Sequence, residues 1–189
     1  MIRSLFFLVL IFSTFNSFSQ DSKFNVELSY PLPIDNNFIG DNYNGIIDVG
    51  FKFRFAELNI VNIGGSLNAG YFKNSKSKIA QTIGVNLYAI QPRIFAELNI
   101  DNISKLHPSV GLGYSIFLFK AEPNNILIGN KTLDESGLNL NLGLAYDVTD
   151  AVIIQVQYDF VKINVDDNIP DVKYNTNINI LKVGLGYRF

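Results

Sequence analysis

The feature that most constrains this chain is a two-residue alternation of apolar and polar side chains. Leu138, Leu140, Leu142, Leu144 and Tyr146 alternate with Asn139, Asn141, Gly143, Ala145 and Asp147. A helix would scatter these residues around its axis, whereas a strand puts them on opposite faces. The same period holds for Val152, Ile154, Val156, Tyr158 and Phe160 against Gln155, Gln157 and Asp159, and for Leu181, Val183, Leu185, Tyr187 and Phe189 against Lys182, Gly184, Gly186 and Arg188. It holds again for Ile47, Val49, Phe51, Phe53 and Phe55 against Asp48, Gly50, Lys52 and Arg54. Weaker versions at Phe24–Tyr30, Ile63–Tyr71, Ile83–Ala89 and Val110–Leu118 bring the expected number of strands to eight.

Which face is buried separates two architectures. A soluble barrel or sandwich turns its apolar face inward, while a barrel standing in a membrane turns it toward lipid and encloses the polar face. Here the minority face carries Glu27, Asp48, Lys52, Arg54, Asn139, Asn141, Gln155, Gln157, Asp159, Lys182 and Arg188, interleaved with Gly and Ser. That face is neither a dry core nor a densely charged soluble surface. Tyr30, Tyr71, Tyr146, Tyr158, Tyr187 and Phe189 fall near strand ends, where aromatic girdles of a membrane barrel lie. The expected fold is therefore an all-β, eight-stranded antiparallel up-and-down transmembrane barrel.

Connection lengths agree. The gaps around Asn59–Asn62, Asn99–Lys105 and Asp147–Asp150 are short, whereas Pro33–Asn44, Lys73–Gln81, Ala121–Ser136 and Asn164–Asn175 are longer and polar. Short periplasmic turns and long outer loops are the outer-membrane pattern, and an even strand number puts both termini in the periplasm. The start of the chain reads as an export signal over residues 1–19: Arg3, then the apolar run Leu5–Phe12, then Ser17-Phe18-Ser19 before a cut at Gln20. Residues 20–189 form the barrel domain. No later stretch is apolar enough for a membrane-spanning helix.

Composition removes several function classes. Fifteen Lys+Arg against seventeen Asp+Glu give a net charge of −2, so no basic field is expected to gather nucleic acid. With no Cys and one His, thiolate zinc sites, iron–sulfur clusters and multi-histidine metal sites are excluded. No cofactor is expected.

The segment Phe55-Ala-Glu-Leu-Asn-Ile60-Val-Asn-Ile63 recurs as Phe95-Ala-Glu-Leu-Asn-Ile100-Asp-Asn-Ile103, each copy crossing an expected short turn. Extending the outward parity of Ala89 past Pro92 would put Arg93 on the lipid face. A bulge at Pro92 is the expected repair, turning Arg93, Phe95 and Glu97 inward.

The signal segment, the eight-strand pattern and the ending Leu181-Lys-Val-Gly-Leu-Gly-Tyr187-Arg-Phe189 resemble the small outer-membrane β-barrel domain proteins of diderm bacteria, the group of OmpA-type, OmpX-type and PorT-type barrels. The resemblance implies an outer-membrane location, lipid as the surrounding partner, and an assembly signal in Leu185, Tyr187 and Phe189 read by the barrel-assembly machinery. No segment remains for a peptidoglycan-binding domain, so that tethering role is not expected.

Eight strands enclose only enough room for their own side chains. A lumen ionic network of Glu27, Asp48, Lys52, Arg54, Asp147, Asp159, Lys182 and Arg188 is therefore expected to plug the barrel, because buried charges are paired. A structural or surface-interaction role follows. The alternative is a narrow porin-like channel, supported by the inward glycines Gly64, Gly70, Gly84, Gly111, Gly113, Gly143, Gly184 and Gly186. A third reading is a lipid-modifying hydrolase, because His107-Pro-Ser109 resembles the His-x-Ser arrangement of lipid A deacylases, themselves eight-stranded barrels. It lacks an acidic partner by spacing and falls at the periplasmic start of a strand, so no enzyme is expected. In the outer loops, Asp35, Asn36, Asn37, Asp41 and Asn42, with Asp166, Asp167 and Asp171, offer oxygen atoms to a cation without the D-x-[DN]-x-[DN]-G pattern, and solvated polarity is the expectation. Ile126, Leu127 and Ile128 are apolar residues available to a partner or to the barrel mouth.

Overall fold

A computed structural model of the chain describes residues 23–74, 84–100, 104–121, 132–164 and 170–189. Eight antiparallel strands close into one barrel in chain order. They are β1 (Phe24–Ile34), β2 (Tyr43–Leu58), β3 (Val61–Asn74), β4 (Val85–Leu98), β5 (Leu106–Ala121), β6 (Thr132–Asp147), β7 (Val152–Asn164) and β8 (Asn177–Arg188). Two short helices, α1 (Phe38–Asn42) and α2 (Lys173–Thr176), lie in the connections β1–β2 and β7–β8. Closure is completed by β1 on β8, from Asn25↔Arg188 to Ile34↔Asn179. The export segment 1–19, Ile126–Ile128, Asp166 and Asp167 lie outside the described residues.

The apolar parity faces outward, as the alternation requires. Leu138, Leu140, Leu142 and Leu144 are exposed on β6, and Ile154, Val156, Val183 and Leu185 are exposed on β7 and β8. Their polar neighbours Asn139, Asn141, Gln155, Gln157, Asp159 and Lys182 are buried inside. Among the described residues no helix is long and apolar enough to cross a membrane, so the crossing falls to strands.

Several boundaries differ from those expected from the sequence. β1 runs through Pro31 and Pro33 to Ile34, and β2 begins at Tyr43, so part of the expected first loop is strand. The prolines are tolerated because β1 pairs with β2 only up to Ser29↔Asp48, whereas pairing with β8 continues past both of them. On the β2 side no ladder remains that would need their missing N–H groups. The third expected loop is likewise shortened, because β5 reaches Ala121 and β6 starts at Thr132.

The expected bulge at Pro92 does not exist. Leu87, Ala89, Gln91, Arg93, Phe95 and Glu97 are all buried on one parity, and Pro92 is exposed. The ladder to β5 passes from Ile90↔Ile116 to Arg93↔Gly113 in unchanged register. The difference lies in Ala89, which points into the lumen because the upper lumen is apolar. The ladder of β2 to β3 instead shifts register twice, between Gly45 and Ile47 and, beside the repeat, between Arg54 and Ala56, the β2 bulge. This bulge separates the two copies of the repeat: Phe55 is 57% exposed on the outside, whereas Phe95 is 4% exposed inside. Gly64 makes room for Phe95, since a Cβ there would lie 2.4 Å from Phe95 Cζ. Gly84 is not an inward strand glycine. It lies just before β4 with φ 59, in the left-handed region that glycine favours.

An outward apolar face at mid-strand predicts a directional cost for charge. Leu140→Arg should lose about 2–4 kcal/mol of stability in phosphatidylcholine vesicles, the midplane cost of a lipid-facing cation, as read from urea unfolding. Unchanged stability would contradict lipid contact at this face.

Candidate functional site: the barrel lumen

From the long-loop end to the short-turn end the lumen has three layers. The first is apolar. Phe72 of β3, Leu87 and Ala89 of β4, Phe117 of β5, Val161 and Ile163 of β7, and Ile178 and Ile180 of β8 point inward and pack together. Ile39 of α1 and Tyr43 at the start of β2 close this layer from above, both almost fully buried. α1 is held in place by Asn37, whose Oδ1 accepts from Gly40 N at 2.8 Å and whose Nδ2 donates to Ile34 O at 2.8 Å. The inward apolar residues disguise themselves in the sequence, because at the long-loop end both faces of a strand are hydrophobic.

The second layer is ionic. The Arg93 guanidinium donates to Asp159 Oδ2 at 2.8 Å, to Asn139 Oδ1 at 2.8 Å and to Gln91 Oε1 at 2.7 Å. Lys182 Nζ lies 2.8 Å from Asp48 Oδ2 and 3.1 Å from Asp159 Oδ2, and donates to Gln91 Oε1 at 2.8 Å. Asn68 donates to Asp48 Oδ1 and Asn141 to Asp159 Oδ1, each at 2.7 Å. Lys52 Nζ pairs with Glu27 Oε1 at 2.8 Å while Gln157 donates to Glu27 Oε2 at 2.9 Å. Ser115 accepts from Gln91 at 2.9 Å and from Asn139 at 3.1 Å. Every strand thus contributes a group to this layer. Arg93, Lys182 and the three carboxylates have two or more polar partners each, and Lys52 is paired with Glu27, the condition under which charges tolerate burial.

The third layer faces the short turns. Arg54 donates through both Nε and NH2 to Glu97 Oε1, at 2.9 and 2.7 Å, and through NH1 to Asn25 at 3.2 Å. Asp147 binds His107 Nε2 at 2.8 Å through Oδ2 and Arg188 NH2 at 3.2 Å through Oδ1. These groups border a cavity of about 360 Å³ that opens at this end.

All eight residues expected in the network therefore lie in the lumen, but not as one cluster. Glu27, Asp48, Lys52, Asp159 and Lys182 meet in the middle layer, whereas Arg54, Asp147 and Arg188 lie below it. From sequence alone, Arg93 and Glu97 depend on a bulge and His107 has another role. With β4's parity taken from Leu87, Gln91, Arg93 and Glu97 share a face without any bulge. The glycine spaces are occupied: a Cβ on Gly113 would lie 2.7 Å from Arg93 Cγ, and one on Gly143 would lie 2.4 Å from Ser109 Oγ.

His107 has an acidic partner that spacing does not reveal, Asp147. Its other ring nitrogen, Nδ1, lies 3.0 Å from Asn99 Oδ1, so neither nitrogen is left to activate Ser109. In the outer loops, Asn37 caps α1, Asp35 Oδ2 accepts from Asn179 at 2.7 Å, and Asp171 lies 3.7 Å from Lys162. Among the described residues no three acidic or histidine side chains converge as metal ligands. Leu185 and Tyr187 point outward, and the Phe189 ring stacks edge-on to Tyr187 at 4.9 Å.

A closed barrel of eight strands with lipid-facing apolar residues and an ionic interior defines a small outer-membrane barrel. The chain belongs to the family described as outer membrane protein beta-barrel domain, which it matches over residues 5–189, and this family resides in the cell outer membrane. Its fold is similar to that of Neisserial surface protein A, with 18% identity, a TM-score of 0.65, and coverage of 89% of this chain and 98% of that one. It is also similar to Ail, the attachment invasion locus protein of Yersinia pestis, with 14% identity, a TM-score of 0.58, and coverage of 88% and 96%. No curated protein matches the chain in sequence.

Asp159 serves two cations, and its loss takes from Arg93 its carboxylate partner and leaves Lys182 paired with Asp48. Asp159→Leu and Arg93→Met should each cost about 3–5 kcal/mol in vesicle unfolding, while the double variant should cost less than their sum by about 1 kcal/mol or more. Strictly additive costs would show that the two groups do not interact.

Proposed function

We propose that this chain is a non-conducting outer-membrane barrel with a structural or surface-interaction role, not an enzyme. The observation that carries this reading is the ionic layer, to which every strand contributes and which is roofed by the apolar layer under Ile39. Among the described residues, five carboxylates (Glu27, Asp48, Glu97, Asp147, Asp159) face five Lys and Arg cations (Lys52, Arg54, Arg93, Lys182, Arg188) in the lumen. This balance leaves no net field to select an ion, and the glycine spaces a channel would need are filled. The engagement of both His107 nitrogens argues against a hydrolase. The opening at the short-turn end favours the second reading, a narrow porin-like path, but only as far as Arg54 and Glu97.

In this reading residues 1–19 direct export, both termini are periplasmic, and the long connections face outward. Leu185, Tyr187 and Phe189 present the outward aromatic ending to the barrel-assembly machinery. With the lumen closed, contact with other molecules passes to the outer loops and the rim. The neighbour Ail carries attachment and invasion in its name and was crystallised with a heparin analogue, in line with such a use of this fold.

The test is single-channel conductance of the refolded protein in a planar bilayer, after a heat-shift gel shows that it has folded. A silent barrel is the expected outcome. Discrete steps whose ion selectivity changes in Lys52→Ala would contradict the closed lumen and establish the channel.

A further inference from the structure

Outside the lumen, two in-register rows of outward side chains cross β2–β6 near the long-loop end. The upper row is Asn44, Lys73, Asn86, Lys120 and Thr132, every member polar. The row beneath is Ile47, Tyr71, Tyr88, Leu118 and Asp134. Neighbouring strands are about 4.8 Å apart, so Lys73 and Lys120 stand about 10 Å apart with Asn86 between them. Both lysines are exposed. The Tyr71 and Tyr88 rings lie 5.2 Å apart, and Tyr71 Oη donates to Asn86 Oδ1 at 3.3 Å, which turns the amide oxygen of Asn86 toward the tyrosine. Tyrosines under a polar row mark the boundary between headgroups and acyl chains. Cations just above it lie at phosphate depth, where long side chains reach the headgroups.

Lower on β2–β5 the same outer face carries a depression of about 630 Å³. Phe53, Leu67, Pro92, Ile94 and Leu112 border it, and Gly65 is its floor. A Cβ on Gly65 would come no closer than 3.9 Å to another atom, the Arg93 carbonyl oxygen, so the slot exists because that side chain is missing. From Lys73 to Leu67 is about 20 Å along a strand, hence about 15 Å in depth on strands tilted about 40°. That depth is about half of the ~25 Å apolar band of such barrels. A lipid whose phosphate sits on the lysine row would lay an acyl chain along the strands into the slot.

We propose that the outer face of β2–β5 is a docking site for a phosphate-bearing lipid of the surrounding leaflet. Lys73, Asn86 and Lys120 receive the phosphate, and the Gly65 slot receives an acyl chain. The proposal rests on the barrel standing in a membrane and is independent of whether the lumen conducts.

The test is native mass spectrometry of the folded full chain released from micelles containing bisphosphorylated lipid A, its dephosphorylated form, phosphatidylcholine, or inorganic phosphate alone. The wild type should retain bisphosphorylated lipid A over the dephosphorylated form, and Lys73→Gln/Lys120→Gln should lower that retention about thirty-fold, the effect of two lysines at an anionic surface. Lys23→Gln/Lys105→Gln, which removes the same charge at the opposite rim, should leave it unchanged. Gly65→Leu should lower retention of every acylated probe. Should the rim double variant fail the heat-shift test of folding, Asn86→Asp, which sets a carboxylate between the lysines to repel the phosphate and neutralise them, should lower retention in the same direction. Equal retention of all lipids, or equal losses from both rim pairs, would overturn the proposal. So would inorganic phosphate displacing the lipid while Gly65→Leu had no effect, because the site would then bind free phosphate.

Discussion

Hydrocarbon offers no hydrogen bonds, so a strand that enters a membrane must find a partner for every backbone N–H and C=O on both of its edges. The rest of this structure depends on that requirement. It forces β1 onto β8 and leaves no open edge, and closure divides each strand into a face toward lipid and a face toward the lumen. The two prolines of β1 lie where only one edge is in use, and Pro92 lies at a gap in the ladder to β5. In each case the missing donor falls where the closed sheet does not need it.

Closure creates a second problem, which the lumen side chains answer. Eight strands leave the interior little more room than its own side chains fill, yet it holds carboxylates and cations whose desolvation is expensive. Arg93 and Lys182 resolve this by sharing Asp159, with Asn68, Gln91, Asn139 and Asn141 saturating the remaining lone pairs and N–H groups. A hydrophobic filling would serve stability as well, and the upper lumen uses one. The ionic filling adds specificity of register: a one-residue slip of β4 would move Arg93 into lipid and Pro92 into the lumen.

Much of the fold is legible in the sequence because lipid imposes one rule on one face. Over Leu138–Tyr146 of β6, Ile154–Phe160 of β7 and Leu181–Tyr187 of β8 that rule is unbroken, and Leu138–Tyr146 alone gives strand, parity and outward direction. The lumen obeys no single rule, and there the sequence becomes ambiguous. Leu87 and Ala89 read as outward residues because apolar side chains usually meet lipid, yet they fill the upper lumen. The ion pairs are legible as a set of inward charges but not as pairs, since Arg93 meets Asp159 across the barrel and not along a strand. The repeat misleads for a related reason. Phe55 and Phe95 face opposite ways because the β2 bulge falls at Phe55, whereas Ala56–Leu58 and Ala96–Leu98 are back in step, paired with the same residues of β3. The acidic partner of His107 lies forty residues away on the neighbouring strand, a contact that register supplies and local spacing does not.

The proposed closed lumen requires that its charges be sealed from water, and the lysines of the native protein report on that directly. Lys52 and Lys182 are 6% and 1% exposed and ion-paired inside, whereas Lys23, Lys105 and Lys120 are exposed on the rims. Acetylation of the folded protein in vesicles permeable to a water-soluble acylating reagent, followed by peptide mass spectrometry, should modify the rim lysines and leave Lys52 and Lys182 unmodified until the barrel is unfolded. Modification of Lys52 and Lys182 at the rate of Lys105 in the folded barrel would mean that the lumen is open to water and that its ion pairs do not close it.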